Sequence, residues 1–421
     1  MSLQGPMVLV AEGPATDLVA ALVAAGAFPV VETKWADAPA AFQSVKPAAV
    51  VIAEAGAPAD AAAANELCRQ IATATGTVVP VVARVGGALE AALPIALAVD
   101  VALPDERLIA RLRSAMRVRA LHATVLRRIE TVAVHGGRLP AFPTGDALED
   151  ATVLIAGRGP LYPKLSVAMG EHVTVLGALS VEGAAKHLNG RDIDGIVLGD
   201  GFSPRKIEAF LTVLAQDVRF RDIPVAVIVD EIPDFAEALP NVDHVDRDPT
   251  RLAARMVPLV RMHAFEARLK RMLKSLDADG IFDPDTGLHG RDAFWQEIGK
   301  AAADANETGM ALSVARLSFD SPLGVRAGKD AARLLTRLIR SVDFACRDDD
   351  GALLIAFTQT DLRGAHVIAR RIASALKSTL MAPHGAQAKI AAAVTLATLK
   401  HGDTLDALMS RVLGRHMVAA E

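Results

Sequence analysis

The feature that most constrains the fold of this chain is a repeat, in which short apolar runs of strand length alternate with segments of helical spacing, in one set of five and then another. The first set is Val8–Ala11, Val30–Glu32, Ala49–Ile52, Val79–Ala83 and Asp100–Leu103. The second is Thr152–Ala156, Val173–Leu176, Gly195–Leu198, Pro224–Val229 and Asp243–Val245. Runs this short and continuously apolar suit strands covered on both faces. Strands separated by helices join in parallel, so each set predicts an open, doubly wound α/β sheet.

Each set closes with an Arg-studded segment of helical apolar spacing, Leu108–Ile129 and Arg251–Leu276, long enough to leave its domain as a connecting helix. Between the sets, Gly136, Gly137, Pro140, Pro143 and Gly145 break any regular element over His135–Asp150, which places the first boundary there. From Asp279–Gly280 onward the pattern changes. Helical spacing at Arg291–Asn306, Gly328–Asp343 and Leu362–Leu380 is interspersed with strand runs at Ala352–Phe357 and Lys389–Ala397. The predicted domains are 1–134, 151–276 and 280–421, the last an α/β domain with hairpin-like strands.

Composition excludes several classes. Apolar residues make up 52% of 421, but their runs are broken well short of the ~18 residues that span a membrane. No membrane insertion is expected, and Met1–Val10 lacks the pattern of a secretory signal. Two cysteines, Cys68 and Cys346, give no disulfide framework, which fits a reducing cytoplasm. The net charge of −4 favours no nucleic acid, and the arginines at 107–128 and 247–274 read as solvated helical faces. His289, His366 and His416 lie in different elements without ligand spacing, so they read as surface histidines; no metal or cofactor is predicted.

Both repeats resemble the receiver domains of response regulators, in element order and in stretches such as Met7-Val-Leu-Val-Ala-Glu-Gly-Pro14 and Asp200-Gly-Phe-Ser-Pro204. A receiver holds Mg²⁺ with an acidic pair after its first strand and an Asp after its third, then binds the phosphoryl oxygens with Thr/Ser and Lys. In the first repeat those positions read Ala11-Glu12, Ala53-Glu54, Val85 and Pro104. The second keeps Asp200 as a possible phosphoacceptor, but its other positions are Ala156-Gly157, Val229 and Asp248. The resemblance therefore implies scaffolds that homodimerise or dock partners through the face after strand four.

The stretch Asp283-Pro-Asp-Thr-Gly-Leu-His-Gly-Arg-Asp-Ala-Phe294 is similar to the opening signature of GGDEF domains, with Gly290 in place of Asn and Asp285 in place of Leu. Further on, Arg340–Ile355 aligns without gaps to R-x-x-D-x-x-x-R-(Y/F)-G-G-(D/E)-E-F and its following strand. The signature hairpin then falls at Asp349-Asp350-Gly351-Ala352-Leu353. The resemblance covers nearly the whole chain: two flavodoxin-like (CheY-like) receiver domains in tandem, followed by a nucleotide-cyclase-like α+β GGDEF domain.

Diguanylate cyclases use the two glycines to bring backbone to GTP, the acid after them to hold metal, and an upstream Asp as a second ligand. Here Asp349 and Asp350 replace the glycines, Gly351 the acid, and Ala315 the upstream Asp. The guanine-reading loop shrinks to Ser318–Val325 and the C-terminal basic segment to about Leu413–His416. The expectation is a chain without enzyme activity.

What persists in register is the family's inhibitory-site pattern, Arg340 and Asp343 with Arg371 on the next helix. Arg can donate to guanine O6 and N7, and a carboxylate can accept from N1 and N2. In the family this site takes cyclic di-GMP as an intercalated dimer, whose stacked guanines supply aromatic surface. The resemblance is greatest to non-catalytic members acting in bacterial cell-cycle control. It implies a cytoplasmic effector, recruited to a cell pole, that relays cyclic di-GMP to adaptor or protease-delivery proteins through the helix near Arg261–Leu276. Two alternatives remain open on the sequence: a residually active cyclase and a ligand-independent dimerising scaffold.

Overall fold

The computed structural model describes residues 3–53, 58–85, 93–141, 145–228, 239–245, 247–278, 280–319, 323–379 and 392–414. Glu54, Val229, His416 and the start of the strand expected from Lys389 lie outside them. The chain packs into two compact units, chiefly residues 6–119 with 142–270, and residues 120–141 with 271–421.

The first unit holds both repeats. Strands β1 (Met7–Val10), β2 (Val30–Thr33), β3 (Ala49–Ile52), β4 (Val81–Val85) and β5 (Leu97–Asp100) form a parallel sheet in the order β2-β1-β3-β4-β5. Strands β6 (Thr152–Ala156), β7 (Thr174–Ala178), β8 (Gly195–Leu198), β9 (Val225–Val227) and β10 (Val242–His244) repeat it as β7-β6-β8-β9-β10. Both are consistent with the flavodoxin-like order, in which the crevice at the carboxyl ends of the first and third strands is the usual place for a site. The fully buried apolar strands β1, β3 and β8 occupy the middle, as continuous apolar runs require.

The intervening helices are α1 (Thr16–Ala24), α2 (Ala38–Val45) and α3 (Ala61–Thr73) in the first repeat. The long α4 (Asp105–Val134) closes that repeat, and the second has α5 (Tyr162–Gly170), α6 (Val181–Gly190) and α7 (Pro204–Gln216) before the long α8 (Pro249–Asp277). Their starts are legible locally. Asp60 accepts from Ala63 N at 2.9 Å, Ser180 accepts from Gly183 N at 3.0 Å, and Pro204 opens α7 where its missing N–H costs nothing.

Two expectations are corrected here. The fifth strand is Leu97–Asp100 rather than Asp100–Leu103, because the Asp100 carboxylate accepts from Ala102 N at 2.9 Å and turns the chain. The helical arginines are not a solvated face: Arg107, Arg111, Arg119, Arg127, Arg128 and Arg255 are buried. Within the first unit, Arg107 donates to the carbonyls of Leu239 (2.9 Å) and Val242 (2.8 Å), and Arg255 donates to Asp100 at 3.3 Å. The last strand and helix of each repeat, part of the surface that the resemblance sets aside for dimerisation, are packed on each other. A lone Arg on a helix looks solvent-facing until the carboxylate or strand carbonyl it reaches is known.

The second unit carries an antiparallel sheet in the order β12-β13-β11-β14, made of β11 (Leu312–Phe319), β12 (Phe344–Arg347), β13 (Leu353–Thr358) and β14 (Ala392–Thr398). Helices α10 (Val325–Leu338) and α11 (Leu362–Thr379) cover one side through Ala331, Leu335, Ala369, Ile372 and Leu376. Helices α9 (Arg291–Thr308) and α12 (Leu405–Leu413) cover the other through Phe294, Ile298 and Leu408. β11, whose apolar alternation is interrupted by Arg316, and the short β12 and α12 are not among the elements expected from the sequence. The helix expected over Gly328–Asp343 ends at Leu338, where Ile339 turns extended.

His289 is also corrected. It is 5% exposed, with its ring against Phe282 and Phe344 and its Nε2 3.3 Å from Glu297. Glu297 is itself fully buried and accepts from Arg128 Nε at 2.9 Å. Burial would raise the Glu297 carboxyl, but Arg128, His289 and Arg127 outweigh it and hold it down at about 2.

Candidate functional site

The opening signature of the C-terminal domain is a self-capped turn. Asp283 accepts from Asp285 N (2.9 Å) and Thr286 Oγ1 (3.0 Å), and Gly287, at φ +68°, donates its N–H to the Asp283 carbonyl. Only glycine takes that left-handed geometry without strain. The turn delivers His289 N to the Ala345 carbonyl at 2.9 Å, fixing the segment beside β12.

The signature hairpin joins β12 to β13. Asp348 N donates to the Ala352 carbonyl at 2.8 Å, and Gly351, at φ +86°, donates to the Asp348 carbonyl. Each hairpin carboxylate has a cation: Arg291 lies 3.2 Å from Asp348 and 3.3 Å from Asp349, and Arg316 is hydrogen-bonded to Asp350. The Ala352 N–H, and after it the Arg316 guanidinium, hold the Asp350 carboxyl below the usual range. Ala315 is buried on β11, opposite Ile355 of β13. Ala315 thus presents a methyl group to the core, and the hairpin carboxylates are paired with neighbouring arginines.

Arg340 and Asp343 come together, but in the turn between α10 and β12 rather than on a helix. Arg340 donates Nε to Asp343 Oδ2 (2.9 Å) and Nη2 to Oδ1 (2.7 Å), with further bonds to the Thr358 carbonyl (3.0 Å) and Thr360 Oγ1 (2.7 Å). The Asp343 side chain is 1% exposed and also accepts from the backbone N–H groups of Arg340 and Thr358. Burial pushes its carboxyl up, against those donors. Arg340 is 35% exposed, and its Nη1 has no partner among the described residues. Arg371 is exposed on α11, with no hydrogen bond or ion pair among the described residues.

Asp200 follows β8 at the carboxyl edge of its sheet, beneath the turn after β6. Arg158 N donates to the Asp200 carbonyl at 3.1 Å, and a Cβ at Gly159 would lie 2.5 Å from Asp200 Oδ2. Its Oδ1 is buried without a hydrogen-bond partner among the described residues. Ala156 and Gly157, at the end of β6 beside it, contribute no carboxylate. At the matching place in the first repeat, an open cleft is lined by Ala11, Gly13, Thr16, Ala53, Arg84 and Asp105. Arg84 is ion-paired with Asp105 there.

No family model matches the chain, and no curated protein matches it. Among solved structures, the neighbours are GGDEF domains covering about a third of the chain. They include the GGDEF domain of DgcB from Caulobacter crescentus in complex with c-di-GMP (21% identity, TM-score 0.30, 32% of this chain and 87% of that one). The FimX GGDEF domain from Pseudomonas aeruginosa matches at 17% identity and TM-score 0.29, over 32% of this chain and 90% of that one. A sensory box/GGDEF family protein from Caulobacter crescentus CB15 matches at 19% identity and TM-score 0.29, over 32% and 94%. Among the described residues no helix is long and apolar enough to cross a membrane.

Proposed function

We propose that this chain is a non-catalytic cyclic di-GMP effector that holds the dinucleotide at Arg340, Asp343 and Arg371. The observation that carries the reading is the state of the two arginines. Asp343 and the end of β13 orient the Arg340 fork while leaving Nη1 open, and Arg371 stands exposed with no partner among the described residues. A pre-oriented guanidinium suits guanine O6 and N7, and a free one suits phosphate. For Asp343 to accept from guanine N1 and N2, the internal pair must open, because both of its oxygens are already taken. Loss of turnover follows from Ala315 and Gly351 at the metal positions and from the arginine-paired hairpin acids.

By the family resemblance, the ligand-bound form engages adaptor or protease-delivery proteins in cell-cycle control at a pole. A homodimer would use front-domain surface other than the β5/α4 and β10/α8 faces that the repeats bury on each other. Asp200 lacks the acidic pair that would hold Mg²⁺ beside it, so its phosphorylation is outside the proposal.

Calorimetric titration of cyclic di-GMP against wild type, Arg340→Ala and Arg371→Ala, with a GTP-turnover assay on the same preparations, tests the reading. The expected result is binding of a ligand pair by wild type, lost in both variants, with no turnover in any. Turnover that rises in Arg340→Ala would instead mean a feedback-inhibited cyclase. Absence of wild-type binding would leave a scaffold.

A further inference from the structure

The two helical layers of the C-terminal domain differ sharply in charge. On one side of the sheet, α10 carries Arg326, Lys329, Arg333 and Arg337 against a single acid, Asp330. Beside it, α11 carries Arg363, Arg370, Arg371 and Lys377 and no acid at all. On the opposite side, α9 and α12 together hold more acids than cations. The whole chain has a net charge of −4, so the α10/α11 layer is a local excess against an acidic background.

This excess is unspent. Lys329 pairs with Asp285 at 2.7 Å, and Arg333 lies 3.9 Å from Asp330. The other six cations have no ion pair among the described residues, and all six are exposed. Between them the layer is partly apolar. Val325, Leu362 and Val367 are 75%, 54% and 64% exposed, and Leu334, Leu338 and Ile368 are only partly buried against the core.

We infer that the outer face of α10 and α11 docks an acidic, amphipathic helical segment of a partner protein. Adjacent helices pack about 8–10 Å apart and leave a groove that a third helix can enter. Here the two adjacent helices expose guanidinium groups at helical spacing, Arg326, Arg333 and Arg337 on one and Arg363 and Arg370 on the other, together with apolar side chains, which match a helix with Leu on one stripe and Glu beside it. Single-stranded nucleic acid is disfavoured, because neither helix carries a Phe, Tyr or Trp side chain as a stacking platform. A membrane surface is disfavoured, because the exposed apolar side chains of the layer, Val325, Leu362 and Val367, include no Trp or Phe and are too few to form the continuous apolar face of an interfacial helix. This surface extends beyond the cyclic di-GMP site and does not depend on it.

The test uses the full chain and a fluorescent helix-forming peptide of about 20 residues, long enough for five to six turns, with a Leu stripe flanked by Glu. Anisotropy is compared with that of a scrambled peptide of the same composition, a DNA duplex and phosphatidylglycerol vesicles. The peptide is expected to bind better than its scramble, and to weaken roughly tenfold in Arg333→Glu/Arg363→Glu, as two lost ion pairs plus repulsion imply. Arg326→Glu/Lys377→Glu, a second exposed pair, should weaken it comparably, and both double variants should bind cyclic di-GMP as wild type does. Arg371→Ala should lose the dinucleotide yet keep peptide affinity within about fivefold, the most one exposed pair contributes. The inference is overturned if the scramble binds equally well, if both double variants bind like wild type, or if duplex or vesicles bind more tightly and are lost in the same variants.

Discussion

Arg111 of α4 donates Nη2 to Asp243 of β10 at 2.8 Å and Nη1 to its other oxygen at 3.1 Å, in a pair whose side chains are only 2% and 3% exposed. The relationship is reciprocal in kind, since Arg255 of α8 reaches back to Asp100 at the end of β5. Each repeat lends an arginine from its last helix to an aspartate of the other's last strand. The second pair is more open, because Asp100 is 41% exposed.

Removing one partner of the buried pair strands a charge, whereas removing both does not. Arg111→Met and Asp243→Leu should therefore each lower the unfolding free energy of the first unit by about 3–5 kcal/mol, and the double substitution by clearly less. Arg255→Met should cost less than Arg111→Met. Urea denaturation of the four variants checks both orderings, and equal costs for the single and double variants would contradict them.

Glu297 gives the second unit an acid-sensitive lock. Its folded carboxyl, at about 2, lies below its unfolded value of 4.5, so its stabilisation is present above pH 4.5 and is lost as pH falls toward 2. The shift corresponds to about 3 kcal/mol. Asp277, raised chiefly by burial and paired with the same Arg128, runs in the opposite sense. The measurement is therefore a difference, in which the stability gap between wild type and Glu297→Gln should narrow as pH is lowered from 5 to 2.

Much of the front of the chain was legible because fully buried parallel strands are continuous apolar runs, and β3, β6 and β8 lie where Ala49–Ile52, Thr152–Ala156 and Gly195–Leu198 were read. Asp100 was read as the start of a strand that it ends, since one carboxylate gives no sign of whether it pairs or turns. The buried arginines escape a sequence reading for a related reason: their partners, Glu297 for Arg128 and Asp243 for Arg111, are distant in sequence, and the burial of His289 depends on Phe344 of β12 and on that same Glu297–Arg128 pair. At the candidate site, motif spacing singles out Arg340, Asp343 and Arg371, and the structure joins the first two to each other. The closure of Arg340 on Asp343 could not be read from that spacing, because it depends on Thr358 and Thr360 at the far end of β13.

The turn above Asp200 should tolerate no side chain at residue 159. A methyl there would meet the Asp200 carboxylate at 2.5 Å, so that side chain must be displaced from its place beneath the turn. Gly159→Ala should cost about 1–3 kcal/mol. Asp200→Ala should recover most of that loss in the double variant, because it removes the colliding group. Thermal unfolding of the cycle decides it, and an additive double variant would mean the carboxylate simply swings away.

Arg340 and Arg371 should separate fold from ligand. Arg340 is bonded to a carboxylate that is almost wholly buried, so Arg340→Ala leaves Asp343 short of its main donor and should destabilise the C-terminal domain by about 3 kcal/mol. Loss of cyclic di-GMP binding in that variant alone would therefore be ambiguous. Arg371 has no partner among the described residues, and Arg371→Ala should change stability by no more than about 0.5 kcal/mol while removing a phosphate contact. Arg340→Lys keeps the charge but not the fork, so it should bind the dinucleotide at least about tenfold more weakly while recovering part of the stability lost in the alanine variant. Chemical denaturation and calorimetry on the three variants would show whether affinity follows the exposed arginine and the fork geometry or only the integrity of the fold. If Arg371→Ala binds as wild type does, the site does not include α11.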